Sequence, residues 1–285
     1  MKFNREFIDN KDPLLIECCK GIEDFYEGLN NQRIDSAELS SSMLIPPILE
    51  GEHPYRRLGN LHNFIHSTYI EKFYELIGNF IASTNSISYV TSALCGRSII
   101  ESVATLRYYN KIIFKIGKNE SPDKLTGIDL KYMKETWDIS IQHIKGSNFD
   151  WQEFYSSDRK KFIENLVEKE KRRLRKESPK KENYIKSLNI GKFLDSWFDD
   201  DPELVSLAYN FFSELVHPNM GSNLLLNGVS GEKIIVGSRS NRAAGKSITR
   251  EAVKFLSPCL RECAMQLAHS YMLSCLGQKL ENPAT

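Results

Sequence analysis

The segment from about residue 86 to residue 116 places the strongest constraint on the fold. Its apolar side chains recur at the three- and four-residue spacing of an α-helix. They cover almost the whole helical circumference, and they include Val90, Leu94, Ile99, Val103, Leu106, Tyr109 and Ile113. A helix that is apolar on nearly every side must be surrounded by other elements. The sequence therefore predicts a central helix in a bundle.

Helical spacing also predicts most of the remaining elements. Asp12 and Pro13 supply a cap and a first residue for the first helix. Further helices are predicted over 61–81, 128–144, 202–217 and 249–276, the last with a kink at Pro258. Apolar runs at 224–226 and 234–236 flank the turn residues Asn227-Gly228, which is typical of a β-hairpin. The predicted fold class is all-α, a helical bundle with a small β-hairpin insert.

The domain organisation follows from the same pattern. A chain of 285 residues with 41% hydrophobic residues can bury one large core. We predict a single, mainly helical domain over residues 1–285. It comprises N-terminal helices in 1–55, a core bundle in 56–150 and 187–281, and a basic helix and linker in 156–186.

Composition narrows the class of protein and its location. A formal net charge of +1 excludes a molecule that binds nucleic acid through its overall charge. The six cysteines form no Cys-x-x-Cys pair and lie among apolar residues, which predicts buried, reduced thiols. The N-terminus lacks an apolar signal core, and no run reaches the roughly 18 apolar residues of a membrane span. We expect a cytoplasmic protein with no membrane partner and no cofactor.

The helix from Pro202 to His217 has the most distinctive polar positions. Pro218 disfavours helical geometry at His217, so that histidine should lie at the helix C-terminus, where a positive charge is favoured. Ser213 and Tyr209 lie four and eight residues earlier, on roughly the same side. These residues predict a proton-transfer or phosphate-contact site. The alternative is structural, with His217 bonded to helix-end carbonyls and Ser213 bonded back to its own helix.

A second polar pair lies in the predicted central helix. Arg97 and Glu101 are four residues apart and share one helical face. A buried arginine needs a partner, which Glu101 itself could be. Alternatively, both side chains face His217 across the bundle and form one polar cleft. Histidine, arginine and carboxylate together suit phosphodiester chemistry.

Two motifs carry a resemblance to a known family. Gly96-Arg97-Ser98-Ile99-Ile100-Glu101 and the later Tyr209-x-x-x-Ser213-x-x-x-His217-Pro218 resemble those of a family of bacterial helical proteins similar to the HEPN superfamily (higher eukaryotes and prokaryotes nucleotide-binding). The resemblance implies a helical bundle, often dimeric. It implies RNA or nucleotide binding or metal-independent RNA cleavage, in toxin–antitoxin, stress or antiphage systems, with an operon-encoded protein partner as a further expectation.

The resemblance also implies roles for individual residues. His217 would be the catalytic histidine. Catalytic family members carry an arginine separated from this histidine by four to six intervening residues, where this chain has Asn210, Phe211 and Phe212. Arg97 would therefore serve as the phosphate clamp, with Glu101 orienting it. Tyr209 and Ser213 would bond the substrate or the histidine.

Three other patterns are weaker. Arg57 and His62 match the Arg-x4-His spacing but lie early in the chain, beside a predicted loop. His62 and His66 share a helical face, as metal ligands can, but are more simply two partly exposed helix histidines, and we predict no metal. Ala244-Gly245-Lys246-Ser247 is similar to the end of a phosphate-binding loop, although Ser247 is more simply a helix cap.

Basic residues give candidate nucleic-acid contacts. In 159–186, twelve basic residues against five acidic ones give a local net charge of +7. The candidates are Arg172, Arg173, Arg175, Lys180 and Lys181, together with Arg239, Arg242 and Lys246 in a predicted loop. A solvated helix with internal Glu–Lys pairs is the alternative. The sequence therefore predicts an RNA-directed protein. It is either a ribonuclease or a non-catalytic module that binds RNA, a nucleotide or a protein.

Overall fold

The structure is a computed structural model. It describes residues 1–4, 12–35, 54–118, 130–145, 161, 163–165, 167–168, 171, 190–200, 202–217, 228–230, 233–235 and 238–279. The predicted N-terminal, core and basic divisions of the single domain therefore fall partly outside the described residues.

Seven long or medium helices make up most of the described chain. They are α1 (Pro13–Gln32), α2 (Pro54–Asn85), α3 (Tyr89–Lys118), α4 (Leu130–Lys145), α5 (Ile190–Phe198), α6 (Pro202–Val216) and α7 (Ser238–Lys279). The Asp12 carboxylate accepts a hydrogen bond from Leu15 N–H at 3.0 Å and so caps α1, as predicted. The all-α prediction is confirmed at the level of fold class. No helix in the described part of the chain is both long and apolar enough to cross a membrane.

Helix α3 lies at the centre of the bundle. It packs against α2, α4, α5, α6 and α7. Its residues Ile99, Ile100 and Val103 are completely buried in the main hydrophobic cluster. The apolar residues that cover nearly all sides of α3 are therefore packed against other helices on most sides.

The turn between α2 and α3 sets where the central helix begins. Ile87 has φ of 58°, in the left-handed region that a β-branched residue rarely adopts. This interrupts helical geometry, so α3 begins at Tyr89 rather than near residue 86 as predicted. Behind the turn, Ser92 Oγ lies 3.0 Å from Ser83 Oγ and 3.3 Å from Thr84 Oγ1, which fixes the two helix ends together.

Helix α7 begins eleven residues earlier than predicted. The predicted loop with Arg239, Arg242 and Lys246 is wrong, because Ser238 already starts the helix. Ser247 is consequently inside a helix and not a cap, which also excludes a phosphate-binding loop here. Gly245 lets this first part pack closely, since a Cβ there would lie 3.1 Å from Ile87 Cγ2. The helix continues through Pro258, where the sequence predicts a kink.

A partly buried arginine fixes the turn between α5 and α6. Arg107, on α3, donates from Nε to Glu262 on α7 at 2.8 Å and from Nη1 to the Ser196 carbonyl at 3.2 Å. It also pairs with Asp200 at the end of α5. One guanidinium thus connects α3 with α7, with α5 and with the turn that precedes α6.

A short antiparallel pair precedes α7. Strand β1 (Gly228–Ser230) pairs with β2 (Lys233–Ile235), with Val229 opposite Ile234. The flanking run at 224–226 lies outside the described residues, so a hairpin insert of the predicted extent stays a prediction.

Candidate polar site between the central helix and α6

Gly96 brings α3 and α6 unusually close together. A Cβ at Gly96 would lie 2.5 Å from Phe212 Cε1, inside normal contact distance. Phe212 is completely buried and packs edge-on against Phe211, with ring centroids 5.5 Å apart. Only glycine allows this approach, because any side chain would displace the ring. The sequence motif that contains Gly96 is thus a packing motif first.

The close approach brings three of the predicted site residues together. Arg97 Nε donates to Glu101 Oε1 at 2.9 Å, and the Tyr209 hydroxyl donates to the same oxygen at 3.2 Å. The Arg97 guanidinium carbon lies 5.5 Å from the Tyr209 ring centroid. The hydrogen bond that Arg97 donates to Glu101 is the main cause that raises the pKa of Arg97 above its usual value. Arg97 and Glu101 side chains remain 27% and 26% exposed, so the cluster meets solvent.

The cluster can present a fixed cation to a ligand. Glu101 engages Arg97 through Nε, and a guanidinium has further N–H donors on its two terminal nitrogens. The carboxylate and the ring hold the guanidinium in a defined orientation. Such an arrangement suits an anion with several acceptor oxygens, such as a phosphate.

Ser213 and His217 lie farther along α6. Helix α3 and α6 run antiparallel here, since Gly96 meets Phe212 whereas Glu101 meets Tyr209. His217 is eight residues beyond Tyr209, about 12 Å along a helix axis. It is exposed, and its backbone N–H donates to the Ser213 carbonyl at 3.0 Å. The predicted helix end at His217 is therefore confirmed, with Val216 as the last helical residue.

The Ser213 hydroxyl does not make the structural bond considered from the sequence. Its Oγ is buried and has no hydrogen-bond partner among the described residues. The predicted bond back to its own helix is therefore wrong, and a role of Ser213 in bonding the substrate or His217 stays a prediction.

The candidate nucleic-acid residues divide into two groups. Arg172, Arg173, Arg175, Lys180 and Lys181 lie outside the described residues, as does the Arg239 side chain. Nearby, Lys171 Nζ lies 3.6 Å from Glu168 Oε2, the kind of internal pair expected for a solvated helix. Arg242 is exposed and Lys246 is partly exposed, both on the first turns of α7.

The early histidines are buried, which corrects the expectation of partial exposure. His62 is 4% exposed and His66 is 9% exposed. Burial lowers the pKa of His62 to about 4 and also lowers the pKa of His66. His62 Nδ1 lies 2.7 Å from the Tyr109 hydroxyl, so this ring is held inside the bundle and is a poor candidate for catalysis in an Arg-x4-His motif. The Arg57 side chain lies outside the described residues.

The sequence did not predict the polar layer to which His62 belongs. The Tyr109 hydroxyl also lies 2.8 Å from Ser140 Oγ, which donates to the Thr136 carbonyl at 2.8 Å. His143 stacks on Tyr109 with ring centroids 4.5 Å apart. The two histidines come from α2 and α4, so only their tertiary contacts reveal the layer. Within the ranges that the structure describes, no group of three or more His, Cys, Asp or Glu side chains could hold a metal ion.

The cysteines agree with their predicted state. All six are free thiols, and Cys275 alone is partly exposed whereas the other five are buried. Burial raises the pKa of Cys19 to about 12, so this thiol stays protonated and unreactive at neutral pH.

Comparison with known proteins yields no relative. No family model, no curated protein and no solved structure matches this chain. The arguments for function therefore rest on the residues themselves.

Proposed function

We propose that this chain is a HEPN-like, RNA-directed helical protein that binds an RNA phosphate at Arg97, in bacterial stress or antiphage defence. The observation that carries the proposal is the Arg97–Glu101–Tyr209 cluster, in which a partly exposed guanidinium is oriented by a carboxylate and an aromatic ring. An oriented guanidinium binds phosphate, and an adjacent ring suits a nucleobase. The HEPN-like resemblance, the predicted hairpin insert and the basic segment 159–186 belong to the same proposal.

The geometry supports binding more directly than cleavage. General acid–base catalysis requires the histidine to reach the phosphate that the arginine holds. His217 lies beyond the cluster along α6, five residues past Phe212, which meets Gly96 beside Arg97. Glu101 and Tyr209 orient the Arg97 guanidinium without His217, so the phosphate-binding group is in place independently of the histidine. The cytoplasm, a homodimer and an operon-encoded partner remain parts of this proposal.

Measurement of RNA affinity tests the proposed binding of an RNA phosphate at Arg97. We would measure fluorescence anisotropy of a labelled single-stranded RNA with the wild-type protein and with Arg97→Gln. Loss of one phosphate contact should weaken binding and reduce the dependence of affinity on salt by about one charge. Arg33→Gln is the matched control, because Arg33 also pairs with a glutamate, Glu71 at 2.9 Å, and also lies over a tyrosine ring. Equal affinity of wild type and Arg97→Gln would refute the proposal.

Metal-independent ribonuclease activity is the second candidate. It is favoured by one observation, the exposed position of His217 at the end of α6. Purified protein would be incubated with cellular RNA in EDTA and compared with His217→Ala and Arg97→Ala. Cleavage lost in both variants, with circular dichroism unchanged, supports a nuclease that uses both residues. Binding without cleavage supports the non-catalytic module instead.

A further inference from the structure

Helix α4 covers a buried layer of histidine and tyrosine side chains. His62 Nδ1 is 2.7 Å from the Tyr109 hydroxyl, which is 2.8 Å from Ser140 Oγ of α4. Ser140 donates to the Thr136 carbonyl, so Tyr109 donates to Ser140 and His62 Nδ1–H donates to Tyr109. His143 of α4 stacks between Tyr109, at 4.5 Å, and Tyr69, at 5.6 Å between ring centroids.

The inner face of α4 is unusually polar for a packed helix. Thr136 and Ser140 are completely buried, and Thr136 Oγ1 has no hydrogen-bond partner among the described residues. Of the α4 side chains that the structure describes, Ile141 packs with Leu61 and Trp137 in a cluster separate from the main core, and Ile139 packs against the main core. Attachment of α4 therefore depends on the neutral polar layer as well as on apolar contact.

The groups around this layer disfavour an added positive charge. From α2, Lys72 faces His143 and repels it, and Tyr69 and His66 are neutral. From α3, Tyr109 is neutral, and Glu101 acts on Lys72 and not on the histidines. The acidic residues of α4 itself, Glu135 and Asp138, are exposed. Burial first, and then Lys72, lowers the pKa of His143 to about 3, and burial lowers that of His62 to about 4.

We propose that α4 is an acid-released cover: protonation of His62 and His143 detaches it from the α2–α3 face while the rest of the bundle stays folded. Both rings are neutral when α4 is docked and regain an ordinary pKa near 6.5 when water reaches them. Docking is therefore fully stable above about pH 6.5 and weakens as the pH falls toward 4. Release would uncover the Tyr69–Tyr109 face.

The expected size of the effect follows from proton linkage. At pH 5.0, a histidine that moves from a pKa of about 4 to about 6.5 favours the released state by about 30-fold. His143 keeps part of its surface exposed, so it adds a factor between one and about 30. The α4 opening equilibrium should therefore rise between about 30-fold and about 1,000-fold from pH 7.4 to pH 5.0.

Hydrogen exchange followed by mass spectrometry tests the proposal. Exchange of peptides within 130–145 and 99–113 would be compared at pH 7.4 and pH 5.0, after correction for the intrinsic exchange rate at each pH. We expect the α4 peptides to lose protection by the stated factor while the α3 peptides remain at least tenfold more protected. Unchanged protection of α4, or equal protection of the α4 and α3 peptides at pH 5.0, would overturn the proposal.

Variants assign the response to the two histidines. His143→Phe keeps an aromatic ring that cannot be protonated, and His62→Asn keeps a donor near the Nδ1 position. The double variant should lose most of the pH response of α4, and His143→Phe alone should reduce it if the double variant does not fold. His217→Asn is the matched control, because His217 lies exposed at the end of α6 and not in the layer under α4. A wild-type response in His143→Phe and in the double variant would refute the mechanism.

Discussion

Substitution of Gly96 by alanine gives a direct test of the close approach between α3 and α6. Alanine in a helix interior is about 1 kcal/mol more favourable than glycine. At this position, however, the new Cβ would lie 2.5, 2.6 and 2.8 Å from three atoms of the Phe212 ring. The ring is completely buried and is held by Phe211, so it cannot move away cheaply. Overpacking of this kind costs about 3 kcal/mol, which leaves a net destabilisation of about 2 kcal/mol.

The free energy of unfolding in urea measures this effect. Gly28→Ala is the matched control, because a Cβ at that helical glycine would have no atom within 4 Å and should stabilise the protein by up to about 1 kcal/mol. Phe212→Leu removes the ring atoms and should make Gly96→Ala neutral or favourable in the double variant. If Gly96→Ala were as stabilising as Gly28→Ala, the close packing of α3 on α6 described above would be wrong.

Three further predictions concern buried polar groups. Tyr109→Phe removes the acceptor of His62 and should lower the free energy of unfolding by about 1–3 kcal/mol, measured in urea at pH 7.4. Arg107→Met leaves the Glu262 carboxylate without its arginine and should cost about 3 kcal/mol in the same assay. Because burial lowers the pKa of His62 to about 4 and also lowers that of His66, global stability should fall between pH 6.5 and 4, by about 2 kcal/mol at pH 5.0 for His62 alone. A stability that is constant from pH 7.4 to pH 5.0 would contradict the burial of these rings.

The helices were predicted well where they depend on residues close together in sequence. The predictions failed where contacts between distant parts of the chain determine the structure. The Asp12 cap and the end of α6 before Pro218 depend on neighbours in sequence, so both are visible there. The first turns of α7 pack through Gly245 against Ile87, a contact across more than 150 residues of chain. The residues around Arg239 are typical of turns, so the sequence alone predicted a loop there.

The candidate site shows the same division. The Arg97–Glu101 pair is local to one helix, and its spacing predicts the ion pair that the structure contains. Tyr209 contacts Glu101 although the two residues are 108 positions apart in the sequence. The position of Tyr209 on the same side of its helix as His217 did not predict this contact. The buried layer of His62, Tyr109 and His143 has no local signature, because each ring alone is ordinary for a helix.

Comparison of the two arginine clusters strengthens the argument for Arg97 as the ligand-binding group. Arg33 joins α1 to α2, since Glu71 and the ring of Tyr74 both lie on α2, so its role in the fold is evident. Arg97 pairs with a residue of its own helix, and Tyr209 of α6 contacts this pair through its hydroxyl to Glu101 and through its ring to the guanidinium. Loss of Arg97 should therefore cost the fold less than loss of Arg33. Arg97 is thus an oriented, partly exposed cation that the fold does not need. Ligand binding explains such a group better than stability does.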